Sequence, residues 1–158
     1  MRNIIFLFFL FCANWVQAEE RSMVIAVVVS AEEQIEKLKL TPSSLKLIYL
    51  RKQLYWPNGK HVVPVNLHAE HTLRGQFSQM VLGRLPKQQI DYWNGLYFNG
   101  IQPPRTVNSE EAVIRLIAET PGAIGYVNAC ILDARVKALL WIDGSNIHTQ
   151  PLQLNCAN

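Results

Sequence analysis

Residues 62–77 (VVPVNLHAEHTLRGQF) bring together residue types that could bind an anion. The stretch begins with a short apolar run that predicts a strand, continues through a polar loop, and ends in residues with helical spacing. The first N–H groups of a helix have no partner within the helix, and the helix dipole makes that end positive. A loop that enters a helix in this way can hold a phosphate, sulfate or carboxylate group. We therefore predict an oxyanion site around His71, Thr72 and Arg74.

Arg105 is a further candidate for this site, because it follows Pro103-Pro104 in the next crossover of the chain. Arginine suits phosphate, since its planar guanidinium group can contact two oxygens at once. Both arginines also have ordinary explanations: Arg74 could lie on a solvated helix face, and Arg105 could anchor a turn. The predicted oxyanion ligands are His71, Thr72, Arg74 and Arg105.

Two histidines flank a carboxylate in residues 68–71 (HAEH), which raises the question of a zinc site. These histidines are three apart, whereas the helical metalloprotease motif spaces them four apart with a glutamate beside the first. His61 and His148 are too distant in sequence to be added to the pair. No nucleophile with a paired base is recognisable either. We predict a binding protein without catalytic residues, metal or cofactor.

Residues 1–18 have the pattern of a secretory signal sequence. A positively charged start precedes the apolar run Ile4–Ala13, and the small residue Ala18 stands where a signal peptidase would cut. The apolar run of about ten residues is too short for a membrane anchor, which needs roughly twenty. A lipid anchor on Cys12 is disfavoured by the bulky residue before it. We predict a mature chain, residues 19–158, that is exported to the periplasm.

The mature chain has a size and charge that exclude some partners. About 140 residues are enough for one domain with its own core. Without Arg2 the chain carries 14 basic and 12 acidic residues, and these do not cluster along the sequence. Nucleic acid and acidic membrane surfaces usually select clustered Lys and Arg. Neither is predicted as a partner.

Cys130 and Cys156 remain after removal of the signal sequence. In an oxidising compartment they are a candidate disulfide, worth roughly 3–4 kcal/mol in the chain-entropy model. The alternative is a pair of buried free thiols. A metal site is disfavoured, because neither cysteine has a Cys or His neighbour at ligand spacing.

Apolar runs and helical spacings alternate along most of the chain. The predicted strands are Met23–Ser30, Val62–Val65, a short strand at the end of Gly100–Val107, Ile124–Val127 and Val136–Ile142. The first is a nearly continuous β-branched run, which indicates an interior strand covered on both faces. The alternation is typical of a sheet with helices on both faces. We predict an α/β fold, a single three-layer α/β/α domain.

Capping residues predict where the helices begin and end. Thr41 with Pro42 should begin the first helix. Gly83 should end the helix that follows the polar loop. Asn108 and Glu111, three residues apart, should form a capping box for a later helix.

Two further patterns give positional predictions. Pro64 lies within a predicted strand and has no N–H to donate, which favours an edge strand or a bend. Ile90, Trp93 and Tyr97 recur on one side of the helix that Pro86 opens, and they are predicted to belong to the core.

Four segments occur in an order that resembles a known family. They are IYLRKQLYWPNG, VVPVN, LRGQFSQMVLG and TPGAIGYVNA, and they span nearly the whole mature chain. This order is similar to that of the phosphate-binding subunits of bacterial phosphate ABC importers, which are type 2 periplasmic binding proteins. The chain looks most like short, exported, single-lobe members whose segments match the second lobe. The resemblance implies a PBP-like lobe that binds phosphate or another small oxyanion and works with an inner-membrane transporter.

One loop departs from the family pattern. In the full-length proteins the loop after the VVPVN-like strand reads Arg-Ser-Asp-Gly-Ser-Gly-Thr, and its side chains and backbone N–H groups hold the phosphate. Aligned on Phe77, this chain has Leu67 for the arginine, His71 for the serine and Leu73 for the threonine. It also lacks the glycines that let the backbone wrap closely around an anion.

Two interpretations of function therefore stay open. The first is a solute-binding-like protein for an oxyanion. The second is an interaction module that has lost high-affinity ligand binding and docks on a membrane sensor or transporter through the face that a second lobe would cover. A homodimer that rebuilds a two-lobed cleft would unite the two.

Overall fold

The computed structural model describes residues 23–34 and 38–156, so the predicted signal sequence lies outside the described residues. In chain order the elements are β1 (Ile25–Ser30), α1 (Pro42–Tyr49), β2 (Val63–Leu67), α2 (Thr72–Phe77), α3 (Ile90–Tyr97), β3 (Arg105–Val107), α4 (Glu110–Glu119), β4 (Ala123–Asn128), β5 (Val136–Asp143) and β6 (Asn146–His148). A π-helical segment, Ser78–Leu82, continues α2, and short 3₁₀ helices occupy Pro86–Gln89 and Ala129–Ile131. None of the helices in the described ranges is long and apolar enough to cross a membrane.

The strands form one mixed sheet in the order β3-β2-β4-β1-β5-β6. β2 is parallel to β3 and to β4, whereas β1 is antiparallel to both of its neighbours. The two outer strands, β3 and β6, are each three residues long. The predicted α/β class is confirmed, although the sequence does not predict β6.

Two successive residues of β4 show that helices cover both faces of this sheet. Successive side chains of a strand point to opposite faces. A side chain at Gly125 would collide with Ile117 and Val113 of α4. Tyr126 instead stacks on Phe77 of α2, with ring centroids 3.8 Å apart. The sheet therefore lies between α4 on one side and the layer that contains α2 on the other.

β1 is the interior strand that its β-branched run predicts. All six of its residues are buried, and it pairs along its length with β4 on one side and β5 on the other. A strand covered on both faces needs no polar alternation, which is why the run reads as continuously apolar.

The edge position predicted from Pro64 is wrong, because β2 lies between β3 and β4. The N–H of Val63 donates toward β4, and that of His68 donates toward β3. Successive N–H groups of a strand point to alternate sides. At position 64 the N–H group would therefore point toward β3, and proline has none. Pairing with β3 begins only at Val65. The proline is tolerated there because the short β3 does not extend far enough to need its missing donor.

Two of the three predicted helix ends are confirmed. Thr41 is the N-cap of α1, and Gly83, with φ of +70°, ends the helix that begins after the polar loop. The capping box predicted at Asn108 and Glu111 is wrong. The N-cap of α4 is Ser109, whose Oγ accepts the N–H three residues later at 3.2 Å. The shorter side chain of Ser109, one residue further along, caps the helix instead of Asn108.

The prediction that α3 contributes to the core is also wrong. Ile90 and Tyr97 are 56 % and 65 % exposed, and Trp93 is only partly buried. A polar contact attaches this helix to the rest of the domain, since the Tyr92 hydroxyl donates to the Leu50 carbonyl at 2.7 Å. Helical spacing shows that side chains share a face, but it cannot show that another element covers that face.

A buried carboxylate, that of Glu33, joins three loops. Its two oxygens accept from Lys60 Nζ at 2.8 and 2.9 Å, and one of them also accepts from the Gly122 N–H at 3.0 Å. Burial acts to raise the pKa of Glu33, but the hydrogen bonds from Lys60 and Gly122 outweigh it and bring the pKa below its ordinary value of 4.5. The ionised carboxylate therefore stabilises the folded state.

Glu33→Gln is expected to lower the free energy of unfolding by about 2 kcal/mol near neutral pH, because the buried ion pair loses its negative partner. The folded pKa lies below the unfolded one. The contribution of Glu33 is therefore complete above the unfolded pKa and is lost as the pH falls through the folded pKa. Urea unfolding from about pH 7 to about pH 3 should show the two proteins converging. Glu32→Gln, on the exposed neighbour, is the control, and a difference that persists in acid would contradict this account.

Cys130 and Cys156 form the predicted disulfide, with their Cα atoms 5.6 Å apart. The bond attaches the C-terminal tail to the 3₁₀ turn that follows β4. Leu152 and Leu154 of this tail pack against the core. The tail is therefore held by both covalent and apolar contacts.

Candidate functional site

The carboxyl ends of the parallel strands β2, β3 and β4 lie side by side in the sheet. The connections that leave them are residues 68–71, residues 108–109 and the turn after Asn128. The His68 N–H donates to the Val107 carbonyl at 3.0 Å, so the first two connections meet at this edge. Ligands of open α/β sheets bind at the carboxyl ends of the strands. We take this edge, with the start of α2, as the candidate site.

His71 is the N-cap of α2. Its Nδ1 accepts the Leu73 N–H at 3.2 Å, so the imidazole already satisfies one of the helix donors that an anion could use. Thr72 is exposed at the first position of the helix. The structure therefore gives His71 a capping role and leaves Thr72 accessible to a ligand.

Side chains of the HAEH segment also contact one another. Glu70 Oε2 lies 3.4 Å from His68 Nδ1, and the rings of His68 and His71 pack edge to face. No group of three or more side chains suited to a metal ion comes together within residues 23–34 and 38–156. These contacts stabilise the conformation of the loop in front of α2.

Arg74 is buried, with 8 % exposure, and does not lie on a solvated helix face. Its Nε and Nη1 atoms have no hydrogen-bond partner in the described part of the chain. None of the ion pairs found there includes it. Burial lowers the pKa of Arg74. A buried charge without a partner destabilises a fold, so its presence calls for a specific reason.

Two buried tyrosines lie close enough to Arg74 to influence its pKa, Tyr126 and Tyr49. The Tyr126 hydroxyl donates to Asn66 Oδ1 at 3.2 Å and accepts the Leu67 N–H at 3.3 Å. Burial raises the pKa of Tyr126 to about 12, so this hydroxyl stays protonated. Asn66 and Leu67 are the last residues of β2. Arg74 therefore interacts electrostatically with a tyrosine whose hydroxyl contacts the carboxyl end of the central parallel strand.

Ser78 follows Arg74 by one helical turn and shares its face of the helix. It is completely buried, and its Oγ has no hydrogen-bond partner among the described residues. Buried polar groups are normally hydrogen-bonded. Two such groups on one helix face mark this region as unusual within the fold.

Arg105 lies apart from the other predicted ligands. It is exposed at the first position of β3, opposite Val65 of β2. Since a strand rises about 3.3 Å per residue, Arg105 stands roughly 7 Å before the carboxyl end of its strand. The three residues His71, Thr72 and Arg74 all lie at the start of α2. Within the described ranges, Arg105 makes no hydrogen bond to any of them.

Most other donors at this edge are already occupied. The side chains of Ser109, Asn128 and Glu110 accept the N–H groups of Ala112, Cys130 and Asn128, respectively. These contacts complete the helix and turn starts without a ligand. Arg74 is therefore a buried cation at this edge that has no ion-pair partner among the described residues.

Sequence reasoning did not identify Asn66, Ser78 or Tyr126 as part of this region. A signal was present for Ser78, because it follows Arg74 by four residues in a predicted helix. Asn66 is a polar residue within an otherwise apolar strand, which also marks a polar contact. Tyr126 carried no such signal, since a tyrosine in a strand is most simply part of the core.

Three solved structures share this fold over most of the chain. A candidate phosphate ABC transporter substrate-binding protein with bound phosphate from Clostridium perfringens has a TM-score of 0.58 and 19% identity, covering 73% of this chain and 44% of that chain. An ABC-type phosphate transport receptor from Vibrio cholerae has a TM-score of 0.56 and 19% identity, covering 73% and 46%. PstS from Borrelia burgdorferi has a TM-score of 0.50 and 16% identity, covering 69% and 42%.

These likenesses establish the fold, which the chain shares with part of each of these three proteins. The chain spans less than half the length of the three solved structures it matches. Its sequence matches no protein-family model and no curated protein.

Proposed function

We propose that this protein is a periplasmic solute-binding-like protein that captures phosphate or a related oxyanion at the carboxyl edge of β2, β3 and β4. It would act by binding rather than by chemistry and would serve an inner-membrane transporter or sensor. The observation that carries the proposal is the buried guanidinium group of Arg74, which has no counter-charge among the described residues.

An oxyanion would supply the partner that Arg74 lacks. The planar fork of a guanidinium group can donate to two oxygens of one phosphate. The Thr72 hydroxyl and the N–H groups in the first turn of α2 that His71 does not cap would add donors at the same end of the helix. Such contacts are stronger in a partly buried site than in water, because the local dielectric constant is lower. The anion would approach Arg74 from the side on which it keeps its remaining exposure.

The solved neighbours support the same ligand class. Two of them are named for phosphate transport, and the one from Clostridium perfringens holds phosphate. Their identity to this chain is low, so they support the proposal through the fold, and Arg74 supports it through chemistry.

Phosphate is expected to raise the unfolding temperature of the purified exported protein. A ligand at about a hundred times its dissociation constant adds roughly 2.7 kcal/mol, which moves the midpoint of a domain of this size by several degrees. Arg74→Met should abolish the shift, because methionine keeps much of the buried volume and removes the charge. Thermal unfolding with phosphate, sulfate and chloride at equal ionic strength measures the effect.

Two control variants sharpen this test. Arg115→Met removes an exposed arginine of α4 and should leave the phosphate shift intact. Arg105→Met decides whether Arg105 belongs to the site. Without ligand, Arg74→Met should be at least as stable as the natural protein, because it removes an unpaired buried charge. A shift that survives in Arg74→Met, or no shift with any anion in the natural protein, would overturn the proposal.

A second candidate function is an interaction module that docks on a membrane sensor or transporter. The occupied donors at the candidate edge favour it, since the starts of α2 and α4 are capped by their own side chains. Absence of any anion effect on unfolding would favour this use. In either case a homodimer could rebuild a two-lobed cleft, and light scattering of the purified protein tests for it.

A further inference from the structure

A cavity of about 240 Å³ lies between the end of α1, the end of the π-helical segment and the start of α3. Three exposed cations from separate parts of the chain line it, Lys46, Lys52 and Arg84. Among the described residues, no acidic side chain lines the cavity and none of the ion pairs includes these cations. Asp91 is exposed on α3, but it is not one of the lining residues. Three like charges therefore converge on one concave surface.

Cations near helix ends often have a purely structural role. Lys46 lies in the last turn of α1, and Arg84 follows the end of the π-helical segment. The carboxyl end of a helix carries about half a negative charge, so these two ends supply about one. The cavity gathers three full positive charges, which exceeds that amount. The helix ends therefore account for part of the positive charge, and the remainder favours an anion in the cavity.

The turn after α1 fixes the backbone of one of these cations. Helices often end at a left-handed residue, usually glycine, and here Arg51 takes that conformation with φ of +57°. The N–H of the next residue, Lys52, donates to the Leu47 carbonyl at 2.8 Å. The backbone of Lys52 is therefore held beside the cavity without a ligand.

Two side chains of the cavity wall hold its other side in place. Gln89 is buried, and its Nε2 donates to the Arg84 carbonyl at 3.0 Å, so it fixes the turn that carries Arg84. The Tyr92 hydroxyl donates to the Leu50 carbonyl at 2.7 Å and joins α3 to the end of α1. The protein itself satisfies these polar atoms. The cavity is therefore preformed, which lowers the entropic cost of binding a ligand.

This cavity is separate from the candidate oxyanion site. The helix that begins at Thr72 continues through the π-helical segment to Leu82, which lines the cavity. Since a helix rises 1.5 Å per residue, the cavity lies roughly 15 Å along the helix from the polar loop. A ligand in the cavity would leave the carboxyl edge of β2, β3 and β4 accessible.

We propose that this cavity binds a small organic anion with two or three carboxylate groups. Lys46, Lys52 and Arg84 would contact the carboxylates, and the planar guanidinium group of arginine can contact two oxygens of one such group. Leu50 and Leu82 supply an apolar wall, which suits the carbon skeleton of an organic acid better than an inorganic ion. The cavity is smaller than the roughly 300–1,000 Å³ of drug-sized ligand sites, so the ligand is a small one.

The test is titration calorimetry of the purified exported protein with citrate and with succinate, near neutral pH and at low ionic strength. An exposed ion pair contributes at most about fivefold in affinity. Citrate has three carboxylates and should bind with a dissociation constant of about 1 mM, and succinate, with two, should bind about fivefold more weakly. Citrate binding should no longer be measurable at about 1 M sodium chloride, where the Debye length is about 3 Å.

Variants of the cavity and matched controls assign the binding to these cations. The double variant Lys46→Gln with Arg84→Gln should weaken citrate binding about 25-fold, because it removes two of the three ion pairs. Lys137→Gln removes an exposed lysine of β5 and should leave citrate binding unchanged. Arg74→Met, which removes the cation of the candidate oxyanion site, should also leave it unchanged.

Three results would overturn the proposal. The first is the absence of citrate binding to the natural protein, or citrate binding that the double variant leaves unchanged. The second is citrate binding that Arg74→Met abolishes, because citrate would then occupy the oxyanion site. The third is full displacement of citrate from Arg74→Met by inorganic phosphate at equal ionic strength, which would make the cavity a site for inorganic anions. These outcomes do not depend on whether phosphate binds at Arg74.

Discussion

Replacing Gly122 with alanine is expected to lower the free energy of unfolding by about 4 kcal/mol. Gly122 has φ of +79°, and a Cβ atom there would overlap the carbonyl oxygen of His61. The backbone cannot easily move aside. Its N–H donates to Glu33, and its carbonyl accepts from Trp56 Nε1 at 3.0 Å and from the Val63 N–H at 3.1 Å. Any shift would therefore weaken contacts to three other segments.

Gly59→Ala is a matched control for this effect. Gly59 has nearly the same backbone conformation, with φ of +81°, but a Cβ atom there would meet nothing within 4 Å. The backbone term alone should cost about 1–2 kcal/mol. Urea unfolding of the two variants separates the cost of a positive φ in alanine from the cost of the clash with the His61 carbonyl. Equal losses in the two proteins would show that the contact with His61 is not the cause.

Loss of the Cys130–Cys156 disulfide is expected to lower the free energy of unfolding by about 3.5 kcal/mol. The two cysteines are separated by 26 positions, and cross-linking a loop of this length removes that much chain entropy from the unfolded state. The midpoint of thermal unfolding should fall by about 10 °C. Calorimetry of the natural protein with and without a reducing agent measures the change.

The double variant Cys130→Ser with Cys156→Ser provides the comparison for this experiment. It should unfold like the reduced natural protein and should not respond to the reducing agent. The phosphate-dependent shift should persist in it if the tail acts on stability alone. A natural protein that is equally stable when oxidised and reduced would contradict the entropic account.

The strands of this fold could be predicted because their composition reflects local burial. The run before Ser30 is almost entirely β-branched, and such a run favours a strand in the middle of a sheet. The order of the strands could not be read in the same way. β1 lies between β4 and β5, and both pairings join segments that are about a hundred residues apart in the chain. Nothing in the local pattern of either segment specifies its partner.

Part of the geometry of the candidate site could be predicted for a similar reason. His71, Thr72 and Arg74 follow one another on a single helix start, so their proximity follows from the sequence. The burial of Arg74 does not follow from the sequence, because it depends on how much of the surface of α2 the sheet covers. Arg105 belongs to another strand, and its distance from that helix is set by where β3 begins to pair.

Helix α3 shows the limit of helical spacing as a guide to burial. The spacing of Ile90 and Tyr97 is that of core residues, but both side chains are exposed to solvent. The sequence gives no sign that no other element covers this side of the helix. A cavity beside α3 is lined by cations from positions as far apart as Lys46 and Arg84. Only the tertiary structure brings these cations together. Surfaces of this kind are properties of the folded chain.

The short outer strands of the sheet have a consequence for behaviour at high concentration. Exposed strand edges are templates for pairing between chains, and long flat edges promote aggregation. Here β3 and β6 each offer three residues, and two prolines directly precede β3. These two outer strands therefore offer little backbone through which copies of the protein could join edge to edge. Such a protein can reach a high concentration and still remain dispersed.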